Sequence, residues 1–410
     1  MPLLNSRIGR GSLVIGVCCR LATSCPFLFW FASIWQGLTF GDLQDAFLDR
    51  SLPIEIRWLA IITLKQGVDK YWRKTAKKYD PVFTVLGGLS TDTSRSSIDK
   101  EEKAHLRSRL ISGAIDEPHP QLAVQSAVIV AKVARLEYPS DWPDAFNEIT
   151  SIIRDASQSN SVDGRGETAS TLRLTRSLSI MLHVVKELAT GRLTRTKSSL
   201  RSVTPWVFRE LGGVYIRNVE AWNGLVRQQP PPAGLADSMT ISLLALKILS
   251  RLIVSGYEFP HRVVEVKELW TILSGQVWAM LGAEAQMPPA EEAILVLLRK
   301  HVINMGKLFL DISMSHPTAF ALLPDTLPLL GKYWDVVVAH GDTLVQQSKR
   351  AADGTNGDRE AEMGSGEERK KFRQRVALQG MLLFRSCLRN IFSPISTIKC
   401  MSALSANCVE

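Results

Sequence analysis

Cysteine is scarce in this 410-residue chain and poorly placed for cross-linking. Cys18, Cys19 and Cys25 lie near the start, Cys387, Cys400 and Cys408 near the end, and none lies between. No CxxC pair occurs, which excludes the usual zinc spacings and a small disulfide scaffold; a reducing compartment is expected. Alternating strand patterns are nearly absent, which argues against a sheet-based fold. Also missing are a GxxxxGK phosphate loop, an HExxH helix and a GxSxG elbow. We therefore expect no enzyme, no cofactor and no resident metal. The formal net charge of +9 is a modest excess for this length. Polybasic tails are lacking, so a solvated basic surface is expected rather than a nucleic-acid interface.

Uninterrupted apolar runs are lacking too. The most apolar stretch, "SLVIGVCCRLATSCPFLFWFASI" at 12–34, is broken by Arg20 and Pro26. A spanning helix wants about 20 continuous apolar residues. No membrane partner is expected, with an anchor through 12–34 as the competing reading. Residues 1–35 are set apart as a divergent apolar segment.

What the chain does have is helical periodicity. Apolar residues recur at 3.6 spacing near 53–72, 99–114, 119–136, 141–157, 168–190, 200–228, 236–255, 261–283, 288–314 and 366–391. Pro53, Pro118, Pro120, Pro143, Pro260, Pro288 and Pro317 fall where helices should begin or end. The helices thus pair through short turns, and second helices of the pairs start near 53, 119, 168, 236, 288 and 366. Their spacing exceeds the roughly 40–47 residues of HEAT units. Insertions at 77–97, in "ASQSNSVDGRGE", in "RQQPPPAGLADS" and at 349–371 account for the excess. The last is charged, Gly-rich and expected to be disordered. The expected fold is an all-α, right-handed HEAT-repeat solenoid of about six helix pairs. Its expected divisions are 36–157 with the first repeats, 158–348 with further pairs, and 372–410 with a last helix and a non-repeat tail.

The helix in "RWLAIITLKQGVDKYW" combines a broad apolar arc with a polar block. A helical wheel puts Ala60, Ile61, Leu64, Val68, Tyr71, Trp72 and Trp58 in the arc, with both tryptophans read as core. Lys65 and Asp69 fall on its edge, one turn apart, where they could pair with each other. Gln66, Lys70 and Arg73 fall on the polar side. Asp49, before the preceding turn, and Arg57 are read as a structural pair holding repeats together. His183 and Glu187 are one helical turn apart without a third ligand nearby, so a metal is not expected. His119, between two prolines, reads as a turn residue.

"LPIEIRWLAIITLKQGVDKYWRKTA" resembles the N-terminal motif of the importin-beta (karyopherin-beta) family, most of all its importin-eleven branch. The likeness continues in "DKEEKAHLRSRLI" and "EPHPQLAVQSAVIVAKVARLEYPSDWPDAF" and weakens from 168 to 390, where "KELATGRL" helps carry it. The resemblance implies a nuclear transport receptor that shuttles between nucleus and cytoplasm through the nuclear pore. It implies three partners: the GTP form of the GTPase Ran, nucleoporin Phe-Gly repeats and protein cargo. In the family, second helices of the first repeats line the concave Ran-binding face. Lys65 matches the motif lysine and is the first candidate contact, followed by Asp69, Gln121 and Gln125. A HEAT scaffold unrelated to transport is the other reading with the same fold.

Overall fold

The computed structural model describes residues 39–73, 98–159, 167–191, 194–226, 228, 232, 234–288, 290–352 and 365–391. The apolar segment at 1–35 and the insertion at 77–97 lie outside the described residues, as does the tail from 392. Every regular element among the described residues is helical. They divide between two compact units, with the boundary in the chain after Gly191.

The first unit holds α1 (Phe40–Leu48), α2 (Ile54–Tyr71), α3 (Lys100–Ile115), α4 (Pro120–Glu137), α5 (Ala145–Ser159) and α6 (Glu167–Ala189). They pack as pairs, α1 with α2, α3 with α4 and α5 with α6. The second helices also pack laterally, α2 on α4 and α4 on α6. Local sequence sets the starts. Thr39 and Asp42 form a capping box that satisfies two backbone donors of α1. Asp99 caps α3, and Pro120 takes the first position of α4, where its missing N–H costs nothing. Inside the unit, Gly67 of α2 gives the Phe40 ring room to lie against the helix, a space that a Cβ would occupy.

The second unit holds α7 (Thr194–Asn223), α8 (Leu235–Gly256), a 3-10 turn at Pro260–Arg262, α9 (Val264–Gln286), α10 (Glu292–Ser315), α11 (Pro317–Leu322), α12 (Thr326–Ala352) and α13 (Ser365–Asn390). Pairing is again local: α7 with α8, α9 with α10 and α12 with α13. Laterally α8 packs on α10 and α10 on α13. Length and composition alone would let α8 cross a membrane, but most of its most apolar stretch is buried against its neighbours. Aromatic edges organise this core, with Trp270 at 5.0 Å from Phe309 and 5.7 Å from Phe320, both edge-on.

The six second helices start at Ile54, Pro120, Glu167, Leu235, Glu292 and Ser365, each within a few residues of the periodicity estimate. Two expectations are corrected. The stretch 349–371 is helical at both ends, since 349–352 close α12 and 365–371 open α13. Helix α12 itself was not anticipated, because residues 341–346 are exposed on every side and leave no apolar stripe. Tertiary contacts hold it, including an edge-on pair of Trp334 with Phe384 at 5.5 Å.

One buried histidine ties pairs of the second unit together. His301 of α10 has Nδ1 2.8 Å from the Leu297 carbonyl and Nε2 3.0 Å from the Ser242 hydroxyl of α8. Ser242 also accepts the Trp222 indole N–H at 3.0 Å. The Nδ1 contact requires a proton there in the neutral ring, leaving Nε2 as acceptor. Burial pushes the His301 pKa from its ordinary 6.5 down to about 4. Above about pH 6.5 neither folded nor unfolded chain is protonated at this ring, and its contribution is complete. As pH falls through 6.5 toward 4 the unfolded chain takes up a proton that the folded chain refuses. The loss should approach about 3 kcal/mol. Urea midpoints measured between pH 7 and pH 4 should show this slope, and His301→Phe should flatten it, leaving the shares of His183 and His261, whose pKa values burial also lowers; equal slopes in both chains would refute the assignment.

Candidate functional site: the exposed face of the first second helices

Burial splits each second helix of the first unit into two sides. On α2, Ile56, Arg57, Ala60, Ile61, Leu64, Gly67, Val68 and Tyr71 are buried. The opposite side carries Trp58, Lys65, Gln66 and Asp69, with Trp58, Lys65 and Asp69 in line at two-turn and one-turn steps. On α4 the matching stripe runs Gln121, Val124, Gln125, Lys132 and Arg135, and on α6 it runs Leu172, Arg173, Arg176, His183 and Glu187. Because α2, α4 and α6 lie side by side, these stripes form one surface.

Polar contacts across this surface join residues one repeat apart. Lys65 Nζ donates to Gln125 Oε1 at 2.7 Å. Lys132 pairs with Asp69, and Arg135 with Glu187 at 2.9 Å. So Lys65 and Asp69 do not pair with each other, as the helical wheel allowed; each is taken by a residue of α4. Gln121 is exposed. Lys65, Lys132, Arg135, Arg173 and Arg176 face Asp69 and Glu187 alone among these stripes, so the surface is net basic. His183 is half-buried, and desolvation is the main force lowering its pKa, with Lys186 adding to it. Its helical neighbour Glu187 is engaged by Arg135 rather than arranged as a ligand.

Trp58 corrects a second expectation. The wheel put both tryptophans in the core, yet Trp58 is 37% exposed while Trp72 is 2% exposed. The apolar arc of α2 is wider than its packing interface, and Trp58 falls on the uncovered margin.

Beneath the surface, the second repeat holds α2 at both ends. Near its start, Arg57 Nε donates to the Phe47 carbonyl at 2.9 Å and its Nη2 pairs with Glu117. Glu117 lies in the turn before α4 and also accepts the His119 backbone N–H at 2.9 Å. Just past the end of α2, Trp72 Nε1 donates to Glu137 Oε1 at 2.9 Å, and Arg107 donates to the other oxygen at 2.8 Å. The expected partner of Arg57 was Asp49. Instead Asp49 accepts from the Ser51 backbone N–H at 2.9 Å and from its hydroxyl at 2.7 Å, within the turn. Those hydrogen bonds from Ser51 are the main cause holding the Asp49 carboxyl below its ordinary range. Nothing in the sequence spacing pointed to Glu117, which lies 60 residues from Arg57.

In the first unit the stacked helix pairs thus leave an extended, largely polar face on their second helices. Residues 41–116 match the importin-beta N-terminal domain. The chain is 28% identical over 295 residues to importin beta-like protein KAP120 of Saccharomyces cerevisiae, covering 71% of this chain and 25% of that one. To human importin-11 it is 27% identical over 306 residues, covering 74% and 28%. In three dimensions it is similar to Lph2, a bidirectional nuclear transport receptor of S. cerevisiae, with a TM-score of 0.65 and 23% identity; 93% of this chain and 32% of that one align. The chain therefore spans about a quarter of the length of the curated relatives it matches. The chain is thus similar to members of the importin-beta family, importin-11 among them.

Proposed function

We propose that this chain serves a nuclear transport receptor, binding the GTP form of Ran through the exposed face of α2 and α4. Protein cargo and nucleoporin Phe-Gly repeats are its further partners in this reading, and it shuttles between nucleus and cytoplasm. The observation that carries the reading is Lys65. It lies within the matched family domain, on a net basic face, with its ammonium oriented by the neutral Gln125 amide rather than by a carboxylate. An oriented cation facing solvent suits an acidic protein surface, where charge complementarity sets rate and specificity.

The test is Lys65→Glu. Reversing the charge at a half-buried rim position should shift stability by about 0.5 kcal/mol or less. Affinity for GTP-loaded Ran should fall about tenfold or more, since like charges then face each other. Binding by titration, with thermal melting alongside, decides it. Equal recovery of Ran in its GTP and GDP forms, or none in either, would favour a transport-independent scaffold.

A further inference from the structure

The helix pair α12 and α13 leaves one side uncovered. Nine of the sixteen large apolar side chains exposed among the described residues lie on these two helices, against at most two on any other helix. On α12, Leu327, Trp334 and Val338 fall within one arc of the helical wheel, with Asp335 and Asp342 at its edge. On α13, Leu378, Met381, Leu382 and Leu388 share an arc with Arg385 and Arg389, and Arg375 stands at its margin. Between the helices, Val337, Met381 and Phe384 line an open cleft of about 560 Å³, with Arg385 and Arg389 on its rim. The helices run antiparallel, since Trp334 lies edge-on to Phe384 while a Cβ on Gly380 would touch Val337. Asp335 is therefore level with Arg385 along the pair, and Asp342 with Arg375. Ion pairs of α13 among the described residues involve Arg369 and Lys371, which leaves Arg375, Arg385 and Arg389 open to a partner. A contiguous apolar surface of this extent marks an interface.

We propose that this face joins two copies of the chain, with α12 of each protomer lying on α13 of the other about a two-fold axis parallel to the helices. That operation exchanges the two helices and keeps the level along the pair. It sets Asp335 of one protomer against Arg385 of the other, and Asp342 against Arg375, while the two clefts face each other. Charge supports a second copy as the occupant. Helix α13 carries no carboxylate from Arg369 to Asn390, whereas α12 brings its aspartates to the same face. A partner of one charge would leave one of these rims unmatched; the chain itself matches both. Area supports it too. The 27 residues of α12 span about 40 Å, and two helices side by side are about 20 Å wide. The product, about 800 Å², is roughly what each partner contributes to a stable interface. The inference stands apart from the transport reading, because α12 and α13 belong to the second unit.

The experiment is light scattering coupled to gel filtration on the full chain, loaded over a series up to about 100 µM. A mass of twice 45.5 kDa is expected at the upper end. Leu388→Glu puts a carboxylate into the apolar face at a 67% exposed position and should weaken self-association about tenfold or more. Met381→Glu should do the same from a second position, so one variant still reports if circular dichroism shows the other to be misfolded. Asp335→Arg sets like charges against Arg385 and should weaken association about fivefold, while Asp335→Arg combined with Arg385→Asp should return it to within about twofold of wild type. Met314→Glu, at an exposed methionine of α10, is the control and should change nothing. A monomer at every concentration overturns the proposal, as does assembly beyond two copies or a dimer that tolerates both glutamate variants. A dimer broken by Leu388→Glu but indifferent to the charge variants overturns the pairing of α12 with α13.

Discussion

Glu117→Ala is expected to destabilise the first unit by about 3–5 kcal/mol, because it leaves the Arg57 guanidinium buried without its carboxylate. Arg57 is 6% exposed and Glu117 2%. The remaining contacts with Phe47, through Nε to its carbonyl and with the guanidinium 5.7 Å from its ring centroid, supply no carboxylate. The turn before α4 loses more, since Glu117 Oε1 also accepts the His119 backbone N–H. Urea midpoints should separate this variant from the double variant Arg57→Met with Glu117→Leu, which removes both charges together and should recover most of the loss. Asp49→Ala should cost only about 1 kcal/mol, the worth of a local turn hydrogen bond. If Asp49→Ala matched Glu117→Ala, the junction of the first two repeats would depend on the turn rather than on the cross-repeat pair.

Trp72→Ala should be comparably severe, at about 3–5 kcal/mol for a fully buried aromatic. Two contacts and the packing volume go with the indole. Its N–H no longer satisfies Glu137, its face no longer meets the Lys103 ammonium at 5.7 Å, and the cavity opens where α2 meets the second repeat. Trp58→Ala provides the contrast within one helix neighbourhood, because Trp58 lies on the uncovered side of α2. Its stability cost should be the smaller one, and its effect should appear in binding. Equal melting shifts for the two variants would contradict the placement of Trp58 at the solvent margin.

Both results turn on contacts between residues roughly one repeat apart in the chain. Arg57 with Glu117, Lys65 with Gln125, Asp69 with Lys132 and Trp72 with Glu137 are separated by 60, 60, 63 and 65 residues. A helical wheel compares residues within one helix, so it offered Lys65–Asp69 and could not offer these. The same limit explains Asp49, which the wheel and turn suggested as a partner for Arg57. It also explains α12, whose exposed residues 341–346 carry no periodic stripe and which packs on α13.

The helical character and order of α2 to α10 and of α13, with the approximate starts of the six second helices, were determined by the sequence alone. They follow from apolar spacing, prolines and capping residues acting within a few turns, which is a local physical problem. The Lys65 candidate was also legible there, through its match to a family motif. Lateral stacking of α2, α4 and α6 decided everything else about the site. It chose which margin of a broad apolar arc is covered, so Trp72 is buried and Trp58 exposed. It also chose the partner of each charge, because a side chain bonds what lies beside it in space, and in a solenoid that neighbour belongs to the next repeat.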